Sequence, residues 1–368
     1  MNQDNSIRAK LSQVCDTFRI LGILVSFEEI KAGNVNSTYK VTYLQPDGKE
    51  KSYILQEINT YVFKNPVQVM ENIDKVTGHI HWKQPEKISL HFHHTDEGKN
   101  YFFEGNHFWR LFNYILSNTY NVTTDLEVVR NAGRAFGEFQ VLLGDFDASQ
   151  LHETILGFHD TRKRYEKLMA VVQEDTLGRA AEVREELDWL CSVQEQACRL
   201  TDMYRQGELP LRVTHNDAKI NNVLFDKVTK KALVVIDLDT VMPGLVGNDF
   251  GDAIRFAANY VEEDCPQYDK AGINMDVFGV FAEGFLQKTA AILTDNEIRT
   301  LATSCFALTV ELAVRFLEDY ILGSPYFRID YPEHNLVRAR CQIALAKDMM
   351  LHMGEMEDVI EKCVGRYR

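Results

Sequence analysis

The chain has 368 residues, 45% hydrophobic and 26% charged, which suits a soluble globular protein with a sizeable core and two domains or one two-lobed unit. With 21 glycines and only 8 prolines it is not a collagen-like or low-complexity chain. Its 40 basic and 54 acidic residues leave a net charge of −14, which argues against nonspecific binding to nucleic acid or an anionic membrane.

The 7 cysteines are odd in number, scattered and free of any CxxC, a pattern that predicts reduced, buried thiols and a cytoplasmic protein. Cys191 and Cys198 fall at helical spacing and are expected to pack in the core. The N-terminal stretch is polar and charged, with no signal-peptide pattern, and no apolar run approaches the ~18 residues of a membrane span.

In chain order, residues 25–31, 37–44 and 52–58 read as strands, with a turn at Pro46-Asp47-Gly48. Asn65-Pro66 reads as a helix start, Asn as N-cap and Pro at the first position. Val69, Met70, Ile73, Val76 and Ile80 then form one apolar helical stripe. Residues 88–92, 100–103 and 108–112 read as further strands. From Tyr114 the pattern is mostly helical, with a clear face at Val183, Leu187, Leu190, Val193, Ala197 and Leu200. One β insertion interrupts it at 211–214, 222–225 and 232–236, and helices resume from Asp252. A small β-rich lobe therefore precedes a large helical one.

The chemistry concentrates in residues 213–255, which hold His215, Asn216, Asp217, Lys219, Asn221, Asn222, Asp237, Asp239, Asp249 and Asp252. Short strands running into polar groups place them at a surface cleft. His215-x-Asp217-x-x-x-x-Asn222 fits the kinase catalytic-loop spacing, in which the Asp receives the acceptor's proton and the Asn holds Mg²⁺. A hairpin then returns to Asp237, where kinases carry a second metal ligand. Mg²⁺ keeps several waters, so one Asp and one Asn suffice. Each of these residues alone reads as well as a turn or cap former.

A phosphate loop belongs between the first two strands, where Gly33, Asn34, Asn36, Ser37 and Thr38 stand. The third strand has Gln56 near the point where protein kinases carry lysine. Lys219 would then supply positive charge, its alternative being a solvated surface lysine. His79/His81 and His91/His93/His94 lack the carboxylate or Cys companions of a zinc site.

The segments 214–225 and 235–256, with YILQEIN, AFGEFQ, FDASQL, RFLEDY and YPEHNLVRAR elsewhere, closely resemble the N-acetylhexosamine 1-kinases, a branch of the aminoglycoside phosphotransferase and choline kinase-like superfamily. The resemblance runs over nearly the whole chain. It implies an α+β, protein kinase-like two-lobed fold, with a nucleotide-binding lobe at 1–112 and a helical lobe at 113–368 carrying the catalytic loop and sugar site. It implies Asp217 as catalytic base, with Asn222 and Asp237 on Mg²⁺ and ATP as co-substrate. The backbone of Arg110, Leu111, Phe112 and Asn113 would meet adenine. Arg315, Tyr326 and Phe256 would hold the sugar. Asn34 stands where the family enzyme has a sugar-contacting His, a departure that bears on sugar preference.

The expected activity is Mg²⁺-dependent transfer from ATP to the anomeric hydroxyl of N-acetylglucosamine or N-acetylgalactosamine. Choline, homoserine or aminoglycoside kinases are alternatives within the superfamily. A metal-dependent phosphohydrolase and a non-catalytic nucleotide-binding module are alternatives outside it.

Overall fold

The computed structural model describes residues 2–30 and 35–368. By its internal contacts the chain divides into two units, Met1–Leu116 and Ser117–Arg368.

The first unit holds helices α1 (Asn2–Cys15) and α2 (Pro66–Lys83) and strands β1 (Ile23–Ile30), β2 (Ser37–Leu44), β3 (Glu50–Ile58), β4 (Phe102–Glu104) and β5 (His107–Asn113). The strands form one antiparallel sheet in the order β1-β2-β3-β5-β4. Alternate residues of β2, β3 and β5 (Val41, Tyr43, Tyr53, Leu55, Trp109, Leu111) point to one core, closed by Leu11, Val14 and Cys15 of α1. The polar N-terminus thus hides a helix, which its few apolar positions anchor. Asn65 precedes α2, but its side chain makes no capping bond, so Pro66 carries the start signal. The expected strand at 88–92 is a looser feature. Phe92 makes an isolated bridge to Phe112, and the N–H of His93 donates to the Leu111 carbonyl at 2.8 Å.

The second unit holds α3 (Leu126–Leu142), α4 (Thr161–Glu174), α5 (Arg184–Ser192), α6 (Gln194–Ala197), α7 (Arg199–Arg205), α8 (Val246–Ala257), α9 (Met275–Thr289), α10 (Asp295–Ile321), α11 (His334–Leu351) and α12 (Met353–Tyr367). Between α7 and α8 lie β6 (Arg212–Thr214), β7 (Val223–Phe225), β8 (Ala232–Val235) and β9 (Met242–Gly244), paired as β6–β9 and β7–β8. The side chains of Asp125, Asn274 and Thr294 cap α3, α9 and α10, the last with Glu297 as a reciprocal capping box. α3 and α9 touch backbone to backbone: a Cβ on Gly133 would lie 2.4 Å from the Phe281 carbonyl oxygen, and one on Gly284 2.2 Å from that of Arg130.

α10 spans 27 residues and by length and apolarity passes for a membrane span, yet 94% of its most apolar window is buried inside the protein. The apolar face from Val183 to Leu200 is buried as expected, but three short helices carry it. That break separates the two cysteines: Cys198 is buried, whereas Cys191 is exposed near the end of α5.

Candidate active site

Two antiparallel strand pairs aim the loop 215–222. Gly244 of β9 faces Arg212 of β6, and Pro243 faces Val213, so Thr214 ends a strand fixed on one side. Asn216 follows with φ +62°, a left-handed backbone that Asn tolerates better than most residues. Its N–H donates to Asp249 Oδ1 at 2.7 Å, and the N–H of His215 donates to Asp249 Oδ2 at 2.9 Å. Gln140 Nε2 donates to the same Oδ2 at 2.8 Å. Burial raises the pKa of the Asp249 carboxyl, and the neighbouring His215 and these bonds pull against it. The Asn216 amide is held as well: Thr214 Oγ1 donates to its Oδ1 at 2.9 Å, and its Nδ2 donates to the Thr240 carbonyl at 2.9 Å. His215 itself is buried, its Nε2 2.8 Å from the Ile236 carbonyl and its ring edge-on to Phe136 and Phe139.

Asp217 emerges from this scaffold half-exposed. Lys219 Nζ lies 2.8 Å from its Oδ1, and Asn222 Nδ2 donates to its carbonyl at 2.8 Å and to its Oδ2 at 3.1 Å. Burial raises the Asp217 pKa, but Lys219, His215 and Arg255 outweigh it and hold the carboxyl below its ordinary value. Lys219 is therefore no solvated surface lysine; it pairs with Asp217, and its ammonium stands 5.9 Å from the Phe256 ring centroid.

The N–H of Ile236 donates to the Asn222 carbonyl at 2.9 Å, which sets Asp237, at φ +59°, beside the loop. Asn222 spends its Nδ2 on Asp217, so its Oδ1 is the end that suits a hard cation, with the Asp237 carboxylate as second donor. These two oxygen donors fit Mg²⁺. Among the described residues, no three His, Cys, Asp or Glu side chains gather to hold a metal. His91 and His93 stand edge to face at 4.9 Å, and burial, then His91 and Lys51, push His93 down to about 4.

In the first unit, Thr38 of β2 pairs with Gln56 of β3, and Gln56 with Arg110 of β5. Gln56 Nε2 donates to Thr38 Oγ1 at 3.0 Å, while its Oε1 accepts from Arg110 Nε at 2.9 Å and Nη2 at 2.5 Å. The Gln56 Oε1 and one hydrogen of its Nε2 are thus engaged within the sheet. Arg110 is buried, with Phe92 and Phe112 rings at 5.8 and 6.0 Å, and places a fixed cation beside the strand that lacks the kinase lysine. Asn36 Oδ1 accepts from the N–H of Asn59 at 2.9 Å, and Ser37 opens β2. The Leu111 carbonyl and the Asn113 N–H meet His93 and His91, and Arg110 and Phe112 are in register with β3. An adenine contact through the backbone of 110–113 would therefore compete with sheet bonds. Asn34 lies outside the described residues.

The expected acceptor residues gather on α10 and the loop after it. Arg315 lies between two rings, 5.2 Å from Phe158 and 5.5 Å from Phe327. Phe327 in turn is 4.9 Å from Tyr326, a residue that is 48% exposed. Arg315 does not pair with Glu311 or Asp319. Glu311 accepts from His159 Nδ1 at 2.8 Å and Thr161 Oγ1 at 2.9 Å. Asp319 accepts from the N–H groups of Tyr326 and Phe327 and from Asn335. Phe256, on α8, lies beside Lys219 and follows Arg255, which is buried against Asp252 and Glu263. The residues that sequence reading passed over are Gln140, His159, Thr214 and Gly244, and Glu311 holds His159 rather than Arg315. Each acts through a contact that only the fold reveals. Asp249 stood in the polar segment with no role attached.

Solved structures share this fold. A microcompartment-associated aminopropanol kinase aligns with TM-score 0.65 and 15% identity over 94% of this chain and 98% of its own. An aminoglycoside phosphotransferase from Alicyclobacillus acidocaldarius gives 0.60 and 12% over 95% and 96%, and a choline kinase from Cryptosporidium parvum 0.58 and 12% over 97% and 99%. At these identities the likeness concerns the fold alone, the α+β kinase-like arrangement expected above. The model of the phosphotransferase enzyme family matches residues 26–282, well over half of the chain, and that span contains Asp217, Asn222 and Asp237. The chain belongs to the phosphotransferase enzyme family.

Proposed function

We propose that this phosphotransferase is an N-acetylhexosamine 1-kinase, moving the γ-phosphoryl group of ATP to the anomeric hydroxyl of N-acetylglucosamine or N-acetylgalactosamine. The observation that carries the acceptor class is Arg315. Its guanidinium is stacked between Phe158 and Phe327, and no hydrogen bond or ion pair from the described residues engages it. The carboxylates around it are all spoken for: Glu311 by His159 and Thr161, Glu318 by Lys167 at 2.6 Å, Asp319 by three donors. Such a wall offers N–H donors and no open anion. It favours hydroxyl and amide oxygens and repels the ammonium groups of choline or an aminoglycoside. A carboxylate would also suit Arg315, so homoserine is the competing acceptor.

Asp217 accepts the hydroxyl proton. An anomeric hydroxyl is more acidic than an ordinary alcohol, so a carboxylate kept below its usual pKa by Lys219 is an adequate base. Lys219 and Asn222 hold the carboxylate in one orientation, which is the alignment that phosphoryl transfer chiefly needs. Asn222 Oδ1 and Asp237 would hold Mg²⁺, which supplies charge neutralisation between the β- and γ-phosphates when bound. Asn36, Ser37 and Thr38 are the proposed phosphate contacts, with Arg110 as the nearby buried cation. The intact Asp217–Asn222–Asp237 set supports catalysis over a mere nucleotide-binding role. A two-metal hydrolase would need a denser ligand cluster. Seven thiols free of disulfides support the cytoplasm as its location.

The test is ATP consumption across N-acetylglucosamine, N-acetylgalactosamine, choline, homoserine and an aminoglycoside, with phosphorus NMR of the product. A sugar 1-phosphate is expected. Turnover confined to an amine or to homoserine, or a 6-phosphate product, overturns the assignment.

A further inference from the structure

We infer that His159 is a positioning residue: held by Glu311 as an imidazolium, it fixes the Asn216 carbonyl and thereby the direction in which Asp217 points. His159 lies just before α4, with its side chain 6% exposed. Its Nδ1 is 2.8 Å from Glu311 Oε1, and its Nε2 is 3.0 Å from the Asn216 carbonyl oxygen. Both neighbours only accept, so both ring nitrogens carry a proton and the ring is charged. Glu311, fully buried on α10, has its other oxygen filled by Thr161 Oγ1–H at 2.9 Å, which holds the carboxylate square to the ring. The charged groups facing the imidazolium are Glu311 and Arg315 from α10, and the Glu311 carboxylate also feels Arg164 of α4. Burial and Arg315 disfavour the charge, yet Glu311 and the Asn216 bond outweigh them and raise the pKa.

The contact falls on a sensitive point. Asn216 has a left-handed backbone, its N–H is tied to Asp249 and its side chain to Thr214 and Thr240. Its carbonyl is one end of the peptide that leads into Asp217; His159 holds that end, while the Asp217 N–H at the other end donates to His215 Nδ1 at 3.3 Å. The same ring follows Phe158, which stacks on Arg315. The wall that carries Arg315 is thus tied to the loop that carries Asp217. The inference rests on Asp217 acting as the base and not on the identity of the acceptor.

The experiment has two arms on the full chain. In the first, nitrogen-15 NMR of histidine-labelled protein at pH 7.5, with His159→Gln for assignment, should show both His159 ring nitrogens protonated. One bare nitrogen overturns the inference. In the second, the double variant His159→Gln/Glu311→Gln removes both buried charges together. ADP release is followed with N-acetylhexosamine and also with no acceptor. The double variant, shown folded by its thermal transition, should lose about 10-fold or more in both rates, a modest share of a general base's contribution, with KM for ATP within about 2-fold of wild type. A folded double variant with unchanged rates, or one altered only in KM for ATP, overturns it. The wild-type rate should also fall as pH rises through the raised His159 pKa, and the double variant should lack that limb; an identical limb in both overturns it. If N-acetylhexosamine elicits no transfer from wild type, the acceptor assignment fails while acceptor-free ADP release still decides His159. Should the double variant fail to fold, the NMR arm, which reads the wild-type ring, decides.

Discussion

Gly244→Ala is the sharpest probe of how the catalytic loop is held. A Cβ there would stand 2.2 Å from Thr214 Oγ1 and 2.7 Å from Asn216 Oδ1. Ordinary contact needs roughly 3.5 Å, so the Thr214 hydroxyl must yield by more than an ångström. The strand cannot retreat, because Gly244 is in register with Arg212 across β6–β9. Thr214 Oγ1 bonds Asn216 Oδ1 at 2.9 Å and the Met242 carbonyl at 3.2 Å, and displacing it strains both. Overpacking typically costs about 1–3 kcal/mol, and a lost hydrogen bond about 1 kcal/mol. A total of about 2–4 kcal/mol is therefore expected from urea unfolding midpoints. Thr214→Ala removes the first obstacle and should cost about 1–3 kcal/mol by itself, through the buried groups it leaves unpaired. The double variant should then be less destabilised than the two costs together by at least about 1 kcal/mol, a coupling expected of residues in contact. Turnover of Gly244→Ala should fall while KM for ATP holds, since Asn216 directly precedes Asp217. Additive costs within about 0.5 kcal/mol, or unchanged turnover, refute the reasoning.

Four further outcomes are expected. Asp217→Asn should keep nucleotide binding by calorimetry but lose about 100-fold or more in kcat; retention of more than roughly a tenth removes it as base. Gln56→Lys should destabilise the first unit by about 1–3 kcal/mol, because an ammonium replaces the acceptor of Arg110; a gain in affinity for ATP without that loss would place Gln56 on the phosphates after all. Arg315→Ala should lower kcat/KM for the hexosamine by about 10-fold or more, on the order of 1.4 kcal/mol, with KM for ATP little changed; a proportional loss in ATP affinity argues for a packing role. Glu311→Gln has a pH signature. Burial pushes the Glu311 carboxyl up, but His159 outweighs it and holds the pKa low, so its stabilisation persists until pH falls through that lowered value. The His159 pKa is raised, so its share is present in acid and is lost as pH rises through the folded value. The stability gap between wild type and Glu311→Gln should be widest near neutrality and narrow toward alkali. A gap that is flat across pH 5–10 contradicts the ion pair.

Much of this molecule was legible in its sequence where local pattern sufficed. β-rich segments either side of the turn at Pro46-Asp47-Gly48 gave β2 and β3, the stripe from Val69 to Val76 gave α2, and the spacing of Asp217 and Asn222 picked out two side chains that the fold brings into hydrogen-bond contact. What stayed hidden depends on groups far apart in the chain. Glu311 meets His159 across 152 residues and Asp249 meets His215 across 34, and neither pairing leaves a local mark. For Arg110 the sequence suggested only a backbone contact, because nothing in the strand pattern shows that its side chain folds back onto Gln56. The α1 helix escaped notice because only one narrow side of it is apolar, and that side becomes visible only once the sheet is there to cover it.

Arg315 sits four residues from Glu311 and four from Asp319 on the same helix, and the three have unlike obligations. Glu311 and Asp319 each anchor several donors, so replacing either breaks bonds in the fold. Arg315 gives up only its stacking on Phe158 and Phe327. On the proposed role of Arg315 as an acceptor contact, position 315 is a place where new acceptors can be tried during divergence at little structural risk, while its neighbours one turn away keep the loop and the helix in place. Libraries built to retarget this kinase should vary 315 and 326 and leave 311 and 319 alone.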